Sequence, residues 1–202
     1  MRPTVIPRDV VFPVLVCLGI VGGMVIAMRA QDRIWFCKCG TIKVWSQDVW
    51  SSHCSQHLLD PYSITHFSHG LLFFVGLLVV AKRVPLMWRL VIAVFFAAAW
   101  EVVENSDFII NRYREVTMSL EYMGDSIVNS VGDVVCCAAG FFVAHKVGWK
   151  WALGIFAATE VVLLFMIRDN LTLNVIMLIR PVDAIKQWQM SGQNVLPIVP
   201  TR

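Results

Sequence analysis

The chain has 202 residues, 57% hydrophobic and only 15% charged, with a mean hydropathy of +0.67. That composition excludes an ordinary soluble domain and points to an integral membrane protein. The net charge of +3 is spread over connecting segments without a basic block, which excludes a nucleic-acid-binding role.

Apolar stretches of about 20 residues, long enough to span a bilayer, run Val10–Met28, Ile64–Ala81, Leu86–Val103, Gly124–Ala144 and Trp151–Ile167. The prediction is an all-α polytopic membrane helical bundle, with about five transmembrane helices in one integral membrane domain over residues 1–202. A shorter run, Leu171–Ile179, cannot cross a core of about 30 Å at about 1.5 Å per residue, and is predicted to be interfacial or re-entrant. Beyond Pro181 little periodicity remains except Ile185 and Trp188, and Pro197 and Pro200 suggest an extended outer tail over residues 181–202.

Basic residues set the orientation. Met1–Asp9, Lys82–Arg89 and Lys146–Lys150 hold Arg2, Arg8, Lys82, Arg83, Arg89, Lys146 and Lys150 in a short total length. The longer segments on the other side hold the remaining Lys and Arg at much lower density. The first set is therefore expected to be cytoplasmic, with the N-terminus inside and the C-terminus in the periplasm. Arg2 and Arg8 ahead of an apolar run also resemble a signal peptide, with small residues at Ala27–Ala30. The run is long for that purpose, which favours an uncleaved anchor.

The outer loop, residues 29–63, carries Trp35, Trp45 and Trp50, residues suited to the headgroup region, and is expected to lie on the membrane. It also carries Cys37, Cys39 and Cys54. In an oxidising compartment a disulfide from Cys54 to one of the pair is one reading. Three cysteines leave one over, so a metal site with His53 or His57 is the rival, although Cys-x-Cys spacing alone is no zinc signature. Cys17, Cys136 and Cys137 fall in spans and are read as packing residues. Gly19, Gly22 and Gly23 are read as sites of close helix contact.

Three polar stripes fall at the outer ends of spans. His66 and His69 share one helix face near the start of the second span, and Glu101 and Glu104 share one at the end of the third. Asp125, Asn129 and Asp133 recur every four residues at the start of the fourth. Asp133 and Glu160 each lie about 12 Å below the outer end of their helices. No Lys or Arg falls in the outer half of a span, so these acids must stay protonated, pair with His66, His69, Arg112 or Arg114, or bind a cation. Neutral imidazole with carboxylate is a common ligand set for Zn, Mn or Fe, and the expectation leans to a divalent metal held by His66, His69, Glu101, Glu104 and Asp133. Polar residues facing headgroups, water or neighbouring helices is the plainer alternative. Arg112 and Arg114 could hold a phosphate in pairs, or make headgroup contacts and ion pairs with Glu115 and Glu121.

Cys37-Lys38-Cys39-Gly40, Ser55-Gln56-His57, His66-x-x-His69-Gly70, Trp100-Glu101-x-x-Glu104-Asn105-Ser106, Arg112-Tyr113-Arg114 and Gly124-Asp125-Ser126-x-x-Asn129-Ser130 together carry a family resemblance. They resemble an uncharacterised family of multi-pass inner-membrane proteins found mainly in alphaproteobacteria, over about Trp35 to Gly140. The resemblance implies a bacterial inner membrane and no established reaction, since the family is carried as a domain of unknown function. In that family a proline commonly follows Asn-Ser, where this chain has Asp107. The departure either adds a carboxylate or loosens a helix end. The Gly-Asp…Asn…Gly-Asp helix is also distantly similar to VanZ-like membrane proteins, over too short a stretch to transfer function.

Two functions stay open. One is an interfacial metal-dependent hydrolase or headgroup transferase on a phosphate-bearing lipid. Asp125 or His57 would act as general acid or base, and Arg112, Arg114 and Asn129 would hold the substrate. The other is a non-catalytic membrane subunit that binds a cofactor or a protein partner. No serine-nucleophile, phosphate-loop or zinc-protease motif is present. A transporter is a poorer fit, because the stripes stop at one side and no inverted repeat is visible.

Overall fold

The computed structural model describes residues 8–117 and 122–192. These form α1 (Arg8–Ala30), α2 (Pro61–Val80), α3 (Leu86–Glu104), α4 (Asp107–Val116), α5 (Ile127–Val147), α6 (Trp149–Ile167), α7 (Leu171–Ile179) and α8 (Asp183–Met190). Helices α1, α2, α3, α5 and α6 are long and apolar enough to cross a membrane. Among the described residues the only extended pairing is an isolated bridge between Trp45 and Leu59. The all-α, five-span reading is therefore correct. Arg2, Glu121, Pro197 and Pro200 lie outside the described residues.

The crossing of α2 and α5 is the centre of the bundle, and glycines permit it. A Cβ on Gly70 would sit 1.9 Å from the Cys137 carbonyl oxygen, and one on Gly140 would sit 2.0 Å from that of Phe67. Without side chains at these points the two backbones touch, the usual way for helices to associate in a lipid environment. A Cβ on Gly19, Gly22 or Gly23 would meet nothing within 4 Å, so the close contacts expected there are absent. Those glycines face away from the packed side of α1, whose Met24 and Met28 are buried in the main core with Leu71, Phe74, Val94 and Phe141. Ser68 and Thr159 hydroxyls, 2.8 Å apart, add a polar tie between α2 and α6.

The starts of α2, α4, α5 and α7 are capped by side chains that the chain supplies locally. Asp60 Oδ1 accepts from the Tyr62 and Ser63 amides, and Ser63 Oγ accepts from the Asp60 amide, with Pro61 in the first turn. Each bond satisfies an amide that the helix cannot. Ser106, Ser126 and Asn170 do the same for α4, α5 and α7. Glu160, expected to need a neutralising partner, instead accepts from the Leu171 and Thr172 amides and holds the start of α7 against α6.

Three connecting segments differ from expectation. Residues 107–116, expected as loop, form α4, which buries Ile109, Ile110, Tyr113 and Val116 along one face. Residues 183–190, expected within an extended tail, form α8, whose buried Gln189 ties it to the bundle. Residues 31–60 do not spread away from the helices. Val49 and Cys54 pack on Leu163 and Ile167 of α6. The Leu58 carbonyl lies where a Cβ on Gly132 of α5 would be only 2.2 Å away.

Candidate functional site

The alternation of spans puts the end of α3 and the starts of α2, α5 and α7 at one end of the bundle. On α2, His66 is buried and its Nδ1 lies 3.2 Å from Glu101 Oε1 of α3. The rings of His66 and His69 are perpendicular with centroids 5.4 Å apart. One ligand atom each from His66, Glu101 and Glu104 lie within 4.8 Å of one another. Glu101 is fully buried, and Glu104 is half-buried with its Oε2 sealed from solvent. Both oxygens of Glu101, Oε2 of Glu104 and Oδ1 of Asp133 are buried without a well-formed hydrogen bond. Buried oxygens of this kind ordinarily have partners, and a cation would supply one.

Of the five expected ligands, three therefore converge. Asp133 of α5 lines the same small cavity, of about 30 Å³, with His66, Glu104 and Asp125. That volume admits a water or an ion. His69 turns instead to a neighbouring groove of about 500 Å³, where its ring stacks near Phe73. The groove's outer wall is α7, whose Leu171, Asn174, Val175, Leu178 and Ile179 fall on one face of a helix. Phe73, Phe96 and Trp100 complete an apolar lining, and Tyr62, His66, Glu104, Tyr113 and Asn174 line both spaces. A polar pocket beside an apolar groove suits an amphiphile.

Asp125 sits just ahead of α5 and is clamped. Its Oδ2 accepts from Asn105 Nδ2 and its Oδ1 from the Tyr122 hydroxyl, both at 2.9 Å, while its amide donates to Asn105 Oδ1 at 2.6 Å. Burial pushes its carboxyl up to about 6, and the Asn105 and Tyr122 bonds restrain the rise. Asn129, one turn into α5, is fully buried with both side-chain polar atoms unpartnered. Asp169 also lines the cavity, although no spaced motif marks it in the sequence. Its Oδ2 accepts from the Tyr62 hydroxyl and its Oδ1 from Gln189 of α8 and from the Asn170 amide. Burial pushes it up to about 7. The aspartate before an N-capping Asn170 was the available signal.

The arginines do not enter the cavity. Arg112 Nε donates to the Leu178 carbonyl, and Arg114 Nε donates to that of Tyr122. Neither guanidinium is among the groups lining the two spaces around His66. Asp107 also lies outside: it occupies the first turn of α4, exposed, 3.5 Å from Arg33 Nη2. Its carboxylate does not join the site.

His57 belongs to a different cluster, in the segment between α1 and α2. One ligand atom each from Cys37, Cys39, His53 and His57 lie within 4.8 Å of one another. All six cysteines are free thiols. The expected disulfide from Cys54 to Cys37 or Cys39 is not formed, because Cys54 is buried against α6 while Cys37 faces His53. Burial pulls His57 below the usual imidazole value and pushes the Cys54 thiol well up. Hydrogen bonding to Cys37 and Thr41 brings Cys39 down to about 7.

The family model described as "Protein of unknown function (DUF2585)" matches residues 28–191. A UPF0314 protein of Brucella anthropi is 48% identical over 175 residues, covering 87% of this chain and 89% of the relative. UPF0314 proteins of Sinorhizobium fredii and Paracoccus denitrificans are each 43% identical, covering 87% and 82% of this chain and 89% of each relative. No solved structure matches the chain.

Proposed function

Because the chain belongs to the DUF2585 family, described only as proteins of unknown function, we propose its function from the side chains that meet at the outer end of the bundle. The reading is a metal-dependent hydrolase or headgroup transferase acting on a phosphate-bearing lipid. The site would face the periplasm from the bacterial inner membrane, with the N-terminus cytoplasmic and the C-terminus periplasmic. The orientation is supported by Lys82, Arg83, Arg89, Lys146 and Lys150 at the opposite helix ends.

The observation that carries this reading is the convergence of His66, Glu101 and Glu104 within 4.8 Å, beside an apolar groove of about 500 Å³. One imidazole and two carboxylates suit Zn, Mn or Fe, and the two negative charges match those of a divalent ion in a poorly solvated place. Neither cavity is lined by Lys or Arg, so a phosphate would need the ion to enter a pocket that also holds Asp125, Asp133 and Asp169. An ion held by His66, Glu101 and Glu104 would supply Lewis acidity toward water and phosphate. A water oxygen would bond to phosphorus, the bond from phosphorus to the leaving alcohol oxygen would break, and that oxygen would take the proton that the water gives up. Asp125, which lines the cavity with His66 and Glu104, would relay that proton only by giving up its bond from Asn105 or Tyr122. In a transfer reaction an acceptor alcohol replaces the water.

A specific observation favours the non-catalytic alternative, a cofactor- or partner-binding subunit. Asp60, Asp125 and Asp169 each use both carboxylate oxygens to tie elements together, as a scaffold would. The test is the metal content of detergent-purified protein beside a His66→Ala, Glu101→Ala double variant. A stoichiometric ion lost in the variant supports the metal site, and equal content in both overturns it. If Asp125→Ala and Glu104→Ala fold but lose a cellular phenotype, the enzyme or cofactor reading gains. Loss of expression alone favours the scaffold.

A further inference from the structure

The outer loop poses a physical problem of its own. Residues 31–60 contain no helix or ladder, yet Cys37, Val49 and His57 are 4%, 1% and 1% exposed. A connection this long without secondary structure is uncommon in a compact fold, and ordering it carries a large entropy cost. A cross-link between its distant parts would lower that cost.

The loop brings four donors together for such a link. The Cys37 amide donates to the Gln56 carbonyl at 3.1 Å, so the stretches bearing Cys37-x-Cys39 and His53-x-x-x-His57 run side by side. The chain then turns sharply: the Gly40 amide donates to the Cys37 carbonyl, and Gly40 takes φ +77°, which favours glycine. The turn points the Cys39 amide at Cys37 Sγ, 3.4 Å away. His53 Nδ1 lies 3.2 Å from the same sulfur. The rings of His53 and His57 are stacked within 11° of parallel, with centroids 5.6 Å apart. His57 Nε2 is sealed from solvent and has no hydrogen-bond partner, although buried ring nitrogens ordinarily have one.

We propose that Cys37, Cys39, His53 and His57 bind one zinc ion as a closed structural site. Bond lengths of about 2.0 to 2.3 Å put neighbouring ligand atoms of a tetrahedral zinc site about 3.3 to 3.8 Å apart. The observed atoms, all within 4.8 Å of one another, would contract by up to about 1 to 1.5 Å per pair, and His57 would exchange its Nδ1 bond from the Lys43 amide for the Nδ1–H tautomer that frees Nε2 to ligate. Two thiolates and two neutral imidazoles cancel the charge of a divalent ion and select a borderline or soft metal over magnesium or calcium. With four protein ligands no position is left open, so the ion's role is to hold the loop.

What the ion holds is the approach to the membrane cavity. The Ile127 and Val128 amides donate to the Ile34 and Trp35 carbonyls, and the Ser126 amide donates to that of Ser55. Gln56 Nε2 donates to the Gly124 carbonyl at 2.6 Å. The stretch from His53 to His57 thus grips the backbone on both sides of Asp125, and the residues just ahead of Cys37 grip the first turn of α5. This site shares no ligand with the His66 cluster and stands whether or not that cluster binds metal.

The test uses the full chain, purified reduced in detergent, stripped with a chelator and titrated with Co²⁺. The expected result is a thiolate-to-cobalt charge-transfer absorption that saturates at one equivalent and is bleached by Zn²⁺. It persists in His66→Ala, Glu101→Ala protein and is lost in Cys37→Ser, Cys39→Ser protein. Cobalt binding without that absorption in the native chain overturns the proposal, and that arm does not depend on any variant folding. A Cys37–Cys39 disulfide in freshly isolated protein, found by mass spectrometry, also overturns it.

Discussion

The two ligand clusters are built by opposite means. His66, Glu101 and Glu104 stand on α2 and α3, so helix backbones fix their relations and the packing of α2 on α5 holds the α2 partner in place. Cys37, Cys39, His53 and His57 stand on irregular chain, held by a glycine turn and a few amide bonds. A site on rigid helices keeps its shape without its ligand, whereas a site on a loop depends on it. The largest predicted effect follows from the first half of that contrast. Gly140→Val would drive a side chain into the Phe67 carbonyl, 2.0 Å from where its Cβ must sit. Neither backbone can yield cheaply, so the cost exceeds about 3 kcal/mol. The expected outcome is near-complete loss of monodisperse protein by size-exclusion chromatography in detergent, with both clusters lost together.

A smaller change should separate the clusters. Asp60→Ala removes the cap of α2 and leaves the Ser55 amide without its acceptor at 3.0 Å. The combined cost is about 2 kcal/mol, from a lost cap and an unpaired buried amide. Limited proteolysis within residues 31–60 should accelerate severalfold, while helical content by circular dichroism stays unchanged. Equal acceleration in the transmembrane helices would mean that loop and bundle are one cooperative unit.

The same contrast explains what the sequence makes legible. Long apolar runs announce the five spans because burial in lipid demands them, and residues three or four apart on a helix share a face, which exposed the His66, Glu101 and Asp125 stripes. Helix α4 escaped because hydropathy does not detect a short amphipathic helix, although Ser106 ahead of Ile109, Ile110, Tyr113 and Val116 is a cap followed by a buried face. Spacing could not say that His69 and Asp133 would flank the three converging ligands, since that depends on helix rotation. The same ignorance of rotation made Gly19, Gly22 and Gly23 look like contact points when Gly70 and Gly140 are. Asp169 reaches Tyr62 across 107 positions of sequence, a distance over which no local pattern speaks.

Asp169 gives a pH-dependent test of how α8 is tied to the cavity wall. Its carboxyl rises from 3.8 to about 7, mainly through burial, against the pull of bonds from the Asn170 amide, Tyr62 and Gln189. Between those values the folded state binds more protons than the unfolded chain. Its contribution to stability is fully present below about 3.8 and is lost as pH rises through about 7. Thermal midpoints followed by tryptophan fluorescence should fall by several degrees over that window. Asp60 and Asp125 shift in the same direction, so the informative quantity is the difference from Asp169→Asn, which should show a shallower decline. Parallel curves would remove Asp169 as a titrating link between α8 and the bundle.

The smallest predicted effect concerns Asp107, where the family resemblance implies a proline. Asp107 is the first residue of α4, and Ser106 before it has φ −72° and ψ 149°. A proline at the first helical position needs no amide bond there, and it requires the preceding residue to be extended, as Ser106 is. Asp107→Pro would lose an exposed ion pair with Arg33 at 3.5 Å, worth about 0 to 1 kcal/mol, and would gain a similar amount from a stiffer unfolded chain. The net change should stay within about 0.5 kcal/mol, with metal content and the loop's protease sensitivity unaltered. A larger loss would assign the Arg33 and Asp107 pair a part in holding the loop to α4, and would move that contact from the surface into the machinery that orders residues 31–60.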